Sequence, residues 1–199
     1  MKRRVNSSFQ WFLFLVLALW VAGACQQAKV PKPKGYFRID FPQHEYQPYS
    51  SLGCPFTFEY PNYAAIIIDS SKTPQPCWLD IYYPEYHARV HLSYLPIKQS
   101  GQLENLLDEA RKLAFSHSQK ATGIREESFD VRSHQVYGTW YEIHGDVASA
   151  LQFVATDSTK HYFRGALYFD ESSRRDSIQP VIDFIAKDMR HLLSTLRWQ

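Results

Sequence analysis

Cysteine is scarce, with three in 199 residues, and no two of them form the Cys-x-x-Cys spacing of a redox catalyst. Glycine is scarce too, at 8, and no glycine-rich loop is present to cradle a phosphate. There is no Gly-x-Ser-x-Gly elbow and no Ser-x-x-Lys, so an activated serine has no recognisable setting. Ser93 and Ser149 fall within strand-like text and need only a packing role. No long basic run stands out inside the chain, and the formal charge is only +2. A nucleic-acid surface is therefore not indicated. Long apolar runs are missing as well. The longest unbroken one, Trp11 to Ala22, is short of the roughly 18 residues of a membrane span.

That short run is informative in its setting. Lys2, Arg3 and Arg4 precede it, and Val21-Ala22-Gly23-Ala24 follows, directly before Cys25. A basic start, an apolar middle and small residues before a cut describe a secretory signal peptide. A cut just before a cysteine is the pattern of a bacterial lipobox, although Ala22 stands where leucine is more usual. Residues 1–24 are thus expected to be removed. Cys25 is expected to carry the lipid, fatty acyl chains such as palmitate, and two or three chains hold a protein to a bilayer where one does not. The competing reading is a retained membrane helix, which the length disfavours.

With Cys25 assigned to lipid, Cys54 and Cys77 remain. An even pair in an exported protein favours a disulfide over two buried thiols. Such a bridge closes a loop of about 24 residues, adding roughly 3 kcal/mol in the chain-entropy view.

From Gln26 to Gly35 the alternation Pro31-Lys32-Pro33-Lys34 favours an extended tether. Lys29, Lys32 and Lys34 are solvated or lie against anionic headgroups. Tyr36 to Ser51, with Pro42 and Pro48, reads as an irregular lead-in with a short strand at Tyr36–Asp40. Residues 25–53 therefore form the lipidated start, tether and extended lead-in, and 54–199 form a single domain.

Within it, Cys54–Pro61 alternates Phe56, Phe58 and Tyr60 with polar residues, and Tyr63–Asp69 is rich in isoleucine; both predict strands. Cys77–Tyr83 and His87–Leu95 predict a hairpin, so Cys54 and Cys77 meet if their strands are neighbours in the sheet. Ser100–Ser118 changes to a helical period through Leu103, Leu106, Leu107, Ala110, Leu113, Ala114 and His117. Ala121–Val131, His134–His144, Val147–Thr156 and Lys160–Phe169 predict further strands. Ser177–Arg197 predicts a second long helix. Asp176 or Ser177 would cap it, and Pro180 would lie in its first turn. The fold class is α+β, an antiparallel sheet packed with two long helices. Whether both helices cover one face or each takes its own stays open.

The histidines do not assemble a metal site. His87 and His91 would converge on a helix, but on a strand four residues span roughly 13 Å. His44, His134, His144, His161 and His191 are scattered, and His117 is a helix-face histidine. Glu142, His144 and Asp146, and Asp157 with His161, are candidate acid–base groups that fit solvated turns better. No cofactor is indicated. The residues alone lead to a lipid-anchored, non-catalytic domain. A cleft between sheet and helix would instead make it a periplasmic ligand-binding lipoprotein.

Several stretches carry a resemblance. They are Pro31-Lys-Pro-Lys-Gly-Tyr-Phe-Arg-Ile-Asp-Phe-Pro42, Cys54-Pro-Phe-Thr-Phe-Glu-Tyr-Pro61, Cys77-Trp-Leu-Asp-Ile-Tyr-Tyr-Pro84, Val90-His-Leu-Ser-Tyr94 and Val136-Tyr-Gly-Thr-Trp-Tyr141. Leu151-Gln-Phe153, Phe163-Arg-Gly-Ala-Leu-Tyr-Phe169, Asp176-Ser-Ile178 and His191-Leu-Leu193 complete the set. Together they resemble the GldD gliding-motility lipoproteins of Bacteroidetes. The resemblance implies a cell-envelope protein required for gliding and tied to type IX protein secretion, with a structural or assembly role and no catalytic residues. It implies partners among the other gliding and secretion proteins of the envelope, and a membrane held through lipid on Cys25. Surface lipoproteins of these bacteria often carry acidic residues after the lipid cysteine. Gln26-Gln27-Ala28-Lys29 is not acidic, so a periplasm-facing anchor is implied, in the outer membrane by preference and the inner as the alternative. At fold level alone, the strand and helix order is similar to the PsbP/Mog1-type sandwich.

Overall fold

A computed structural model describes residues 38–68, 75–116, 120–170 and 175–199, with Trp11. Residues 1–36 and 37–199 form separate units; the account below concerns the second. Cys25, the tether and His117 lie outside the described residues.

Ten strands and two helices are described. β1 (Tyr46–Ser50), β2 (Phe56–Pro61), β3 (Ala65–Ile68), β4 (Leu79–Tyr83) and β5 (Ala88–Pro96) precede α1 (Gln102–Phe115). β6 (Ala121–Val131), β7 (Val136–Gly145), β8 (Leu151–Thr156) and β9 (His161–Phe169) lead to α2 (Arg175–Thr195) and β10 (Arg197–Trp198). Seven strands form one antiparallel sheet in the order β3-β4-β5-β9-β8-β7-β6, and β1-β2-β10 form a smaller one.

Period-2 alternation sorts the side chains into two cores. Trp140, Phe153 and Phe163 point to one face of the large sheet, where they meet Phe56 and Phe58 of β2 and Val181, Ile185, Met189 and Leu192 of α2. Their sequence neighbours Tyr141, Val154 and Tyr162 point to the other face and meet Ala110 and Ala114 of α1. Each helix therefore covers its own face. The small sheet and α2 share the inner face; α1 lies alone on the outer one. Gly165 is required by the inner packing, since a Cβ there would stand 2.2 Å from the ring of Phe153, its partner on β8.

Several boundaries move. Residues 38–40 are not a strand, and the first strand is Tyr46–Ser50, pairing Tyr49 with Phe58. Pro48 fits because β1 is an edge of the small sheet, where a missing N–H costs no ladder bond. The described lead-in, from Arg38, thus lies in the same unit as the strands that follow. Val147 to Ala150 turn rather than extend, with Val147 N–H donating to Gly145, and β8 begins only at Leu151. α1 starts at Gln102, after Gly101 at φ +77°, and ends at Phe115. α2 starts at Arg175, so Asp176 and Ser177 lie inside it and Pro180 is past the first turn. Thr195 ends that helix. Its hydroxyl donates to the carbonyl oxygen of His191 and accepts from the N–H of Glu59, and the chain then pairs with β2 as β10.

Cys54 and Cys77 are joined as a disulfide, with Cα atoms 5.5 Å apart. The strands they precede are not neighbours in one sheet. β2 belongs to the small sheet and β4 to the large one, so the bridge staples the two sheets together. Replacing both cysteines by serine is expected to lower the unfolding free energy by about 3 kcal/mol, the loop-closure contribution. Urea unfolding of the two proteins at neutral pH measures it, and superimposable curves would contradict the staple.

Candidate functional site

α2 carries Phe184, Asp188 and His191 on one stripe, at the spacing that stacks side chains along a helix. All three grip the lead-in. Phe184 stacks on Phe41 and on His44, each at 4.5 Å between centroids. His191 stacks on Tyr46 at 3.5 Å, and its Nε2 lies 2.7 Å from Glu59 Oε2. Between them sits Asp188, its side chain 1% exposed. Tyr63 donates its hydroxyl to both carboxylate oxygens, at 2.9 and 2.8 Å. Tyr46 donates at 3.1 Å, and His44 Nδ1 lies 2.7 Å away.

Burial pushes the Asp188 carboxyl above its ordinary value, and the hydrogen bonds from Tyr63, His44 and Tyr46 oppose that push. Burial and the Asp188 charge push Tyr46, Tyr63 and the fully buried Tyr83 well above theirs, so all three remain neutral donors. A general acid or base must reach its substrate. Asp188 reaches only its own tyrosines and histidine, so the cluster is a clamp that fixes the lead-in to α2 and the sheet.

The outer face differs. α1 covers the β7-β8-β9 half through Tyr141, Val154 and Tyr162, and among the described residues no helix covers the β3-β4-β5 side. A cleft of about 560 Å³ opens there, walled by Trp78, Asp80, His91, Ser93, Arg164 and Tyr168. Asp80 is engaged by His91 Nδ1 and, at 3.8 Å, by Arg89, which also binds Asp170 at 2.9 Å. Tyr168 meets His91 edge to face. Arg164 donates to Gln152 at 2.7 Å and stands directly opposite Ser93 across β9 and β5.

His44 and His191 come together in the clamp, both stacked on Tyr46, and His161 Nε2 lies 4.0 Å from Asp157 Oδ2. His87 holds a left-handed position closing the Pro84–Tyr86 turn, while His91 turns to Asp80. Glu142 accepts from Trp140 Nε1 at 3.0 Å and pairs with Arg190 and Arg125 instead of His144. His161 stacks on Trp198 and bonds the Tyr94 hydroxyl. Burial pushes the Asp157 carboxyl up, but the Thr159 hydroxyl and the N–H groups of Thr159, His161 and Lys160 outweigh that and bring it to about 2. It organises a turn. Ser149 is buried and donates to Leu151 O. Sequence reasoning missed Asp188, although an acid interrupting the apolar stripe between Ile185 and Leu192 was a visible signal. It also missed Arg164, which no motif marks. Of the histidines and serines that it named, His44 and His191 enter the clamp, and His91 and Ser93 the cleft.

The clamp sets a pH dependence. An aspartate whose folded pKa is raised holds its proton longer in the folded than in the unfolded protein. Between the unfolded value, about 3.9, and the raised folded value, stability therefore falls as pH rises. Asp188→Asn removes that decline. Urea unfolding from pH 4 upward should show wild type losing stability relative to the variant, and parallel profiles would refute the assignment.

Comparison with known proteins follows from this geometry. No curated protein matches the sequence. The solution structure of cyanobacterial PsbP (CyanoP) from Synechocystis sp. PCC 6803 is similar at a TM-score of 0.45 and 16% identity, over 79% of this chain and 95% of that chain. The family described as gliding motility lipoprotein GldD matches residues 26–198. That match takes in the clamped lead-in, the disulfide and every described element of the domain, and the chain belongs to the gliding motility lipoprotein GldD family.

Proposed function

We propose that this protein is a non-catalytic structural or assembly component of the gliding apparatus, linked to type IX protein secretion. In this reading Cys25 carries the lipid, residues 26–35 act as the tether, and the domain faces the periplasm, from the outer membrane by preference. Its partners are other envelope proteins of the gliding and secretion machinery. The observation that carries the reading is the family match across residues 26–198. One feature supports it. The most strongly buried acid among the described residues, Asp188, is spent on fixing the fold and has no open side for a substrate.

The alternative is a ligand cleft between sheet and helix. The space between α2 and the sheet at Ile143, Leu151 and Ile182 is about 80 Å³. The larger volume lies on the outer face, away from α2.

In cells, deleting the protein should abolish surface spreading and reduce secretion. Crosslinking with a tagged wild-type protein should recover gliding or secretion components, and Cys25→Ala should recover few or none. Normal spreading and secretion in the deletion strain would end this reading.

A further inference from the structure

The outer-face cleft contains one cation, Arg164, that forms no ion pair among the described residues. Among the described residues no carboxylate pairs with Arg164; its one hydrogen bond goes to the neutral, buried Gln152. That bond leaves most of the donors of the guanidinium free and holds its fork in place. The other arginines near this face are satisfied, Arg89 by Asp170 and Asp80. Asp80 is itself occupied by His91 and Arg89, so it offers little to a further cation. Ser93 lines the same cleft, and no hydrogen bond of its hydroxyl is seen among the described residues. Trp78 donates its Nε1–H to Tyr94 O, which fixes the indole as a wall. Tyr168 forms another part of the lining.

We infer that this cleft binds a monoanionic carboxylate carrying an aromatic or branched apolar group. The planar fork of Arg164 matches a carboxylate bidentately, with the Ser93 hydroxyl as a further donor. The apolar group lies against Trp78 and Tyr168. One unpaired positive charge, with Asp80 in the same wall, suits a single negative charge; a dianionic phosphate would meet repulsion without a second cation. The volume of about 560 Å³ is in the range of small-molecule sites. The same chemistry is offered by a free small acid and by the C-terminal carboxylate of an envelope peptide. The inference goes beyond the assembly role, because it is read on purified protein and not on motility.

The test is calorimetric titration of the full-length protein in detergent micelles with four kinds of probe. They are indole-3-acetate, its uncharged amide, the peptide Ala-Ala-Leu-Phe with a free or amidated C-terminus, and inorganic phosphate. At least one acid should bind at least tenfold more tightly than its amide. Arg164→Gln should weaken that binding at least tenfold and Arg164→Lys, which keeps the charge but loses the fork, by less. Ser93→Ala should weaken it about threefold, the effect of one hydrogen bond. Arg125→Gln, on distant β6, should leave it unchanged. Tighter binding of the free-ended peptide assigns the site to a chain terminus, and tighter binding of indole-3-acetate to a small acid. Circular dichroism melts confirm that each variant is folded; Arg164→Lys and Ser93→Ala carry the test if Arg164→Gln is not. Equal binding of acid and amide, unchanged binding in the folded Arg164 variants, preference for phosphate, or no acid binding at millimolar concentration would each overturn the inference.

Discussion

A carboxylate taken out of water costs several kcal/mol unless donors replace its hydration. Asp188, on α2, meets that condition with groups drawn from two other parts of the chain: His44 and Tyr46 from the lead-in and β1, and Tyr63 from the approach to β3. The clamp is therefore satisfied only when the lead-in, α2 and the large sheet are all in place. Phe184 and His191 extend the grip one turn to either side. With α2 held down, Ile185, Met189 and Leu192 close the inner core, and the small sheet closes over Phe56 and Phe58. The disulfide then fastens the same two sheets at another point.

This arrangement puts the clamp and the larger core on the inner face, and among the described residues α1 covers only part of the outer one. The two edges of the large sheet are treated differently. β6 is long and carries Arg125, Glu126 and Glu127 in ion pairs, which blunt an edge against pairing with other chains. β3 is short and uncharged, and Ile68 is 67% exposed. The uncovered side of the sheet runs from this edge to the cleft at Arg164.

How much of this was legible depends on the range of the forces involved. Strands and helices with clean periods, such as Phe56–Phe58–Tyr60 or Leu103–Leu106–Ala110, declared themselves because packing against one face imposes that period. The disulfide pairing followed from counting, yet its bridging of two sheets did not, since sheet membership is a long-range matter. Pro48 hid β1, because a proline reads as a strand breaker until the strand is known to be an edge. The clamp was almost invisible. His44, Tyr46, Tyr63 and Asp188 are separated by up to 144 residues and share no motif; only the misplaced polarity of Asp188 on an apolar helix stripe betrayed it. Arg164 looked like any outward arginine on a strand. Its isolation from carboxylates is a property of the folded sheet face.

Membership of a lipoprotein family makes this an envelope protein attached to a membrane, and the clamp gives that attachment a mechanical consequence. A pull transmitted along a tether reaches the domain first at the lead-in, not at the core. There the load meets stacked rings and a buried carboxylate on α2, and the β1–β2 ladder shares it. To peel the lead-in away would expose the Asp188 charge partners and break several hydrogen bonds together, so the segment yields as a unit or not at all. The open sheet face, carried on the far side of the same sheet from α2, keeps its geometry for as long as the clamp holds.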